Sequence, residues 1–225
     1  MKKIQSFNLI KMIVLYVFIL LLSNCHGVGI VEEETLCSLI DRIEDQELLK
    51  EIAFRKDISE KIVDNIVDKI DNDEFLQKLA YRLDLSPDIV SGIVILINDV
   101  EILKDIYNQH SVSRIRRAAF SSLTYIYEDE DFYYNAAIST ADNNIRGNAI
   151  KKIANRTYLM RIGKKAEQHN DSQTRYALIA KLGLSNSTKK CTNCNNTISV
   201  FSMAGENCPH CGVYWGDEKK TTTYI

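Results

Sequence analysis

Four cysteines near the C-terminus have the residue type and the spacing to hold a metal ion. Cys191-Thr-Asn-Cys194 and Cys208-Pro-His-Cys211 are two C-x-x-C pairs separated by the 13 residues 195–207. A C-x-x-C turn offers two thiolates to one ion from a single tight loop, and zinc takes four ligands in a tetrahedron, so the two turns together complete one coordination sphere. A shell closed by four protein ligands leaves no position for water or substrate. The metal it holds is then structural, contributing folding free energy to a segment too short for a core of its own. His210 lies inside the second pair and is expected to be exposed rather than a ligand.

Between the pairs, 197–203 (TISVFSM) alternates enough for a strand, 204–207 (AGEN) reads as a turn, and 213–215 (VYW) follows as a second short strand. With Gly212 after the last cysteine, this resembles a zinc ribbon. The resemblance implies one structural Zn2+ on Cys191, Cys194, Cys208 and Cys211 within a module spanning 189–216, followed by a tail at 217–225. Two other chemistries remain open for the same thiols. Cys208-Pro-His-Cys211 also resembles the dithiol of periplasmic thiol oxidases, in which the first cysteine is activated at a helix N-terminus. Only 14 residues follow Cys211, too few for the helix and strands a thioredoxin fold places after that motif. A disulfide within each pair suits an oxidising compartment, but it would leave little holding the two turns together.

The N-terminus has the layout of an export signal. Lys2, Lys3 and Lys11 precede the uninterrupted apolar run 12–22 (MIVLYVFILLL). A spanning helix needs about 20 apolar residues, so the run is short for one, although an uncleaved anchor helix stays open. Leu22-Ser23-Asn24-Cys25 resembles the lipobox of bacterial lipoproteins and departs from it at Asn24, where Gly or Ala is usual. That resemblance implies lipidation of Cys25, removal of 1–24 and a place in the bacterial cell envelope. A conventional cleavage site beside an incidental cysteine is the alternative. Under each reading the lysines lie before the run and Glu32, Glu33 and Glu34 after it, which puts the rest of the chain outside the cytoplasm.

The elements that must carry these sites are helical and repeated. Five segments begin with an acid or Thr and continue with an apolar stripe: 47–53 (ELLKEIA), 74–80 (EFLQKLA), 101–107 (EILKDIY), 131–137 (DFYYNAA) and 157–163 (TYLMRIG). Alternating with them are five segments with apolar or small residues at i, i+4 and i+8, which share one helical face. These are Ile62/Ile66/Ile70, Ile89/Ile93/Ile97, Ile115/Ala119/Leu123, Ile145/Ala149/Ile153 and Thr174/Leu178/Leu182, with anchors 27, 26, 30 and 29 residues apart. Thr35/Leu39/Ile43 fits the same template 27 residues before Ile62, as a capping half-repeat would. Cys37 falls in that half-repeat, where a small buried thiol is expected.

Arg116, Arg146 and Arg175 follow their anchors directly, and Asp142 and Asp171 lie three residues before theirs. This D-x-x-[IT]-R turn resembles short HEAT-like repeats of the phycobilisome-lyase type, a family in which the Asp and Arg are thought to link neighbouring repeats. The first two repeats depart from it, with Val63 and Val90 in place of Arg. The expected fold is mainly α: an α-solenoid of about five short HEAT-like hairpins over 32–184, plus a small C-terminal β zinc ribbon. A non-repetitive helical bundle is the alternative.

Composition narrows the function. Without the first 24 residues, 25 basic residues face 30 acidic ones, a net charge of −5, whereas a nucleic-acid binder usually shows a basic domain or stripe. Phosphate loops, H-E-x-x-H and G-x-S-x-G are absent, and His26, His110, His169 and His210 form no acid–base pattern. No catalytic or organic-cofactor-binding residue can be named. The expectation is a non-enzymatic, membrane-anchored scaffold that binds protein partners, with a thiol-dependent redox protein using Cys208 and Cys211 as the alternative. Nucleic-acid contact through Lys189, Lys190, Lys219 and Lys220 is a third reading, against which export speaks.

Overall fold

The computed structural model describes residues 32–184, 188–191, 193–203, 208, 210 and 211. The run 12–22, Cys25, the turn expected at 204–207, the strand expected at 213–215 and the tail 217–225 lie outside them. Among the described residues the chain is mainly helical, with one two-stranded antiparallel sheet near the C-terminus. The helices are α1 (Glu32–Ile40), α2 (Gln46–Ala53), α3 (Glu60–Val67), α4 (Asp73–Ala80), α5 (Pro87–Leu96), α6 (Val100–Gln109), α7 (Ser113–Ile126), α8 (Glu130–Ser139), α9 (Asn143–Lys152), α10 (Arg156–Gln168) and α11 (Ser172–Lys181). No helix among the described residues is long and apolar enough to cross a membrane.

Short polar side chains start these helices. Asp45, Ser59, Asn72, Asp99, Asp129, Asp142, Asn155 and Asp171 each accept hydrogen bonds from amides of the first turn, satisfying donors that have no intrahelical partner. Ser86 makes no such bond, and there Pro87 opens α5 with its φ already suited to a helix.

The chain divides into two compact units, Met1–Leu123 and Thr124–Ile225. In the first, α2 pairs with α3 and α4 with α5, while α1 packs on α3, α3 on α5 and α4 on α6. Most of the i, i+4 stripes become the core: Ile62, Ile66, Ile70, Ile93 and Ile97 are buried, while the anchor Ile89 is half-buried. The opening half-repeat uses a different stripe from the expected one. Thr35 and Leu39 are exposed and Ile43 half-buried, whereas Leu36 and Ile40 are buried at 5% and 0%. One residue turns a helix by about 100°, so α1 presents the stripe that Val63/Val67 and Val90/Val94 continue at the same 27-residue spacing. Cys37 is accordingly half-buried rather than buried.

In the second unit α8 pairs with α9 and α10 with α11, and α8 packs on α10 and α9 on α11. Side chains tie successive hairpins together within each unit. A cation or imidazole from the later hairpin reaches the C-terminal carbonyls of the earlier one: Arg82 donates to Ala53 O, His110 Nε2 lies 3.0 Å from Ala80 O, and Lys165 Nζ is 2.6 Å from Ile138 O. Lys69 Nζ likewise holds Ile40 O at 2.7 Å and Lys181 Nζ holds Lys151 O at 2.6 Å. Those carbonyls lack helical donors and carry the negative end of the helix dipole, so a cation there is favourable. His110 is buried and accepts from Val112 N–H at Nδ1, which leaves its proton on Nε2 for Ala80.

Carboxylates serve the opposite ends. Asp73 accepts from the amides of Asn98 and Asp99 at 3.0 and 2.6 Å, and Glu130 accepts from those of Ala154 and Asn155 at 2.8 and 3.2 Å. Arg146 donates to Thr140 O at 2.6 Å and pairs with Asp171 of the next hairpin at 2.7 Å.

Candidate metal centre

The cysteine segment begins as a β-hairpin. β1 (Thr188–Lys190) pairs antiparallel with β2 (Thr197–Ser199), matching Thr188 with Ser199, Lys189 with Ile198 and Lys190 with Thr197. The loop between them is closed by Cys191 N–H to Asn196 O and Asn195 N–H to Cys191 O, both at 2.8 Å. Asn195 takes a left-handed φ of 59° at this tight turn, a conformation that Asn tolerates better than most residues. The first C-x-x-C pair therefore occupies a hairpin tip.

The four thiols of Cys191, Cys194, Cys208 and Cys211 converge. Their sulfurs all lie within 4.8 Å of one another, with Cys191–Cys211 at 3.7 Å and Cys194–Cys208 at 3.8 Å. Four sulfurs each ~2.3 Å from one tetrahedral zinc would be ~3.8 Å apart, so the cluster has the size of a metal–thiolate centre. Cys191 and Cys208 are each 2% exposed and form a buried cluster with Ile198, against which the half-buried Cys194 and Cys211 pack. These four could hold a metal ion, and His210 is exposed and outside the cluster. They are the one such grouping of His, Cys, Asp or Glu among the described residues.

The electrostatics suit a cation. The amides of Cys194 and then Asn193 point at the Cys191 sulfur and lower its pKa against the opposing effect of burial. For Cys194 the Asn196 amide acts in the same direction, but burial and the three neighbouring thiols outweigh it and push the group up to about 11. Thiols this close resist joint ionisation, because each new thiolate faces another. A divalent cation at their centre removes that penalty and displaces the protons.

Expected as strand throughout, 197–203 instead changes at Val200 into a 3-10 turn, Val200–Met203. The reason lies in α10. Val200 and Phe201 are consecutive and both buried, at 3% and 2%, whereas a strand would send them to opposite faces. The turn packs on α10 and lays Phe201 over Gly163 so closely that a Cβ there would stand 2.1 Å from the ring. Ser199 Oγ donates to the Glu167 carboxylate and accepts from Phe201 N–H at 3.1 Å.

No protein-family model, curated protein or solved structure gives a significant match to the chain. No periodicity in the sequence marks β1 or the Phe201–Gly163 contact. One signal for the contact exists: Gly163 stands where the equivalent helices carry Ala53, Ala80, Tyr107 and Ala137, and a glycine inside a helical pattern often marks a close approach.

Proposed function

We propose that the protein is a membrane-anchored, non-enzymatic scaffold whose HEAT-like hairpins form an α-solenoid surface for protein partners, and whose C-terminal ribbon is held by one structural zinc ion. The observation that carries this reading is the convergence of four thiolate ligands in a module seated on α10. Stacked hairpins give a long face without a deep pocket, which suits a protein ligand. The cross-hairpin ties, including Arg146–Asp171, support a stacked array. The lipobox-like Leu22-Ser23-Asn24-Cys25 supplies the anchor.

Metal analysis of the purified full-length chain tests the metal half of the proposal. One zinc per chain is expected, with four thiols that react with a disulfide reagent only after chelation. A metal-free protein whose Cys208 and Cys211 cycle reversibly between dithiol and disulfide would overturn it in favour of redox work. Cys25→Ala tests the anchor: acyl labelling should vanish and the protein should leave the membrane fraction. Membrane retention by the unlabelled variant would replace the lipid anchor with an uncleaved helix.

A further inference from the structure

Nothing about four thiolates requires them to communicate with the helices, yet the module and α10 share a continuous run of contacts. Ile198 packs under the sulfurs, and the next residue, Ser199, hydrogen-bonds Glu167 of α10. Two residues beyond that, Phe201 is buried on Gly163. The chain from the metal ligands to the helix is therefore short and packed at each step. Among the described residues the segment has a three-residue strand pair and a four-residue turn. Through these contacts the position of Phe201 is linked to whatever holds Cys191, Cys194, Cys208 and Cys211 in place.

We propose that metal binding at the four cysteines and docking of Phe201 on Gly163 are one coupled equilibrium, so that the metal state of the module sets whether the Gly163 face of α10 is covered. Loaded, the module holds the ring on α10; stripped, it releases the ring and uncovers the helix face on which Gly163 lies. This rests on the metal reading above and adds a regulatory role to that site. The coupling runs in both directions. If metal favours docking by some factor, docking must favour metal by the same factor.

That reciprocity gives the test. Zinc affinity of the full-length chain is measured by competition with a chromophoric chelator, for the native protein and for Gly163→Ala. The added methyl displaces the ring without touching a ligand. Stoichiometry should stay at one zinc, while affinity falls by roughly 5- to 150-fold, the usual range of coupling between sites. Phe201→Ala, which leaves α10 unaltered, should produce a fall of similar size. Amide exchange across α10 should quicken when the native protein is stripped of zinc, and in both variants it should be fast with or without zinc. Unchanged zinc affinity in both variants would overturn the coupling while leaving the metal site standing. Failure of the native chain to bind zinc would overturn the metal site itself, and the coupling with it.

Discussion

Gly163 is where two effects of opposite sign can be separated. Alanine in a helix interior is favoured over glycine by about 1 kcal/mol, so on α10 alone Gly163→Ala would stabilise. The Phe201 ring, 2.1 Å from the Cβ position, reverses this, because overfilling a packed contact typically costs about 1–3 kcal/mol. The difference leaves a net destabilisation of the second unit of up to about 2 kcal/mol in denaturant unfolding. In a Phe201→Ala background the same substitution should become neutral or stabilising, and a cost that persists there would mean that the ring is not its source. The cysteine cluster was legible because two C-x-x-C pairs are among the few spacings that can bring four sulfurs to one point. Gly163 and Phe201 were not, since their meaning depends on one another across the fold. Asn195 at its left-handed φ is a similar case. The C-x-x-C turn before it was visible, but the left-handed backbone it requires at Asn195 was not.

At the scale of elements, the hairpins are joined by charged groups whose worth depends on pH. Burial alone would raise the pKa of Asp171, but the Thr174 hydroxyl and amide and the Arg146 guanidinium outweigh it and hold the carboxyl below its ordinary value. A group depressed on folding contributes stability that is complete above its unfolded pKa, about 3.9 for Asp, and that is lost as pH falls through the folded value. Asp171→Asn should therefore cost about 1–2 kcal/mol at neutral pH and progressively less below about pH 4. A penalty that stays constant down to pH 2 would remove the ionic explanation. In the same unit, Glu130 accepts two exposed amides of the following hairpin, and Glu130→Ala should cost about 0.5–1.5 kcal/mol, the net worth of such bonding. Loss within a few tenths of a kcal/mol in thermal unfolding would show that water replaces the carboxylate without penalty.

Helix positions were legible from period and caps, because a stripe at i, i+4, i+8 has few other uses. The register of α1 was not. Thr35/Leu39/Ile43 satisfies the full spacing, whereas Leu36/Ile40 satisfies only its first step, with Glu44 at i+8, and packing on α3 chooses the second. β1 was missed for a related reason. Thr188, Lys189 and Lys190 are all exposed, so no alternation marks them, and the strand exists through its pairing with Thr197–Ser199 across the cysteine turn.

At the scale of the molecule, a single net charge proved too coarse a descriptor. The formal −2 conceals a stretch, 143–190, with 11 basic residues against two acidic ones. Several of those cations have structural tasks: Arg146 on Thr140 and Asp171, Lys165 on Ile138, and Lys181 on Lys151. The division into two compact units also fell elsewhere than at a change of composition, since Leu123 and Thr124 are neighbours within α7. That division makes the reach of a metal bound at the proposed site measurable. All four cysteines belong to the second unit, and a ligand stabilises what it binds by an amount set by its concentration over Kd, about 4 kcal/mol at a thousandfold excess. Chelation should therefore lower the protection of Leu159, Ile162 and Leu178, which belong to the core of the second unit, while Leu49, Ile66 and Ile93 in the first keep theirs. Amide exchange resolved by residue reads both sets in one experiment. Equal loss in the two units would show that the metal supports the whole chain, and equal retention would show that the module contributes nothing to the helices it rests on.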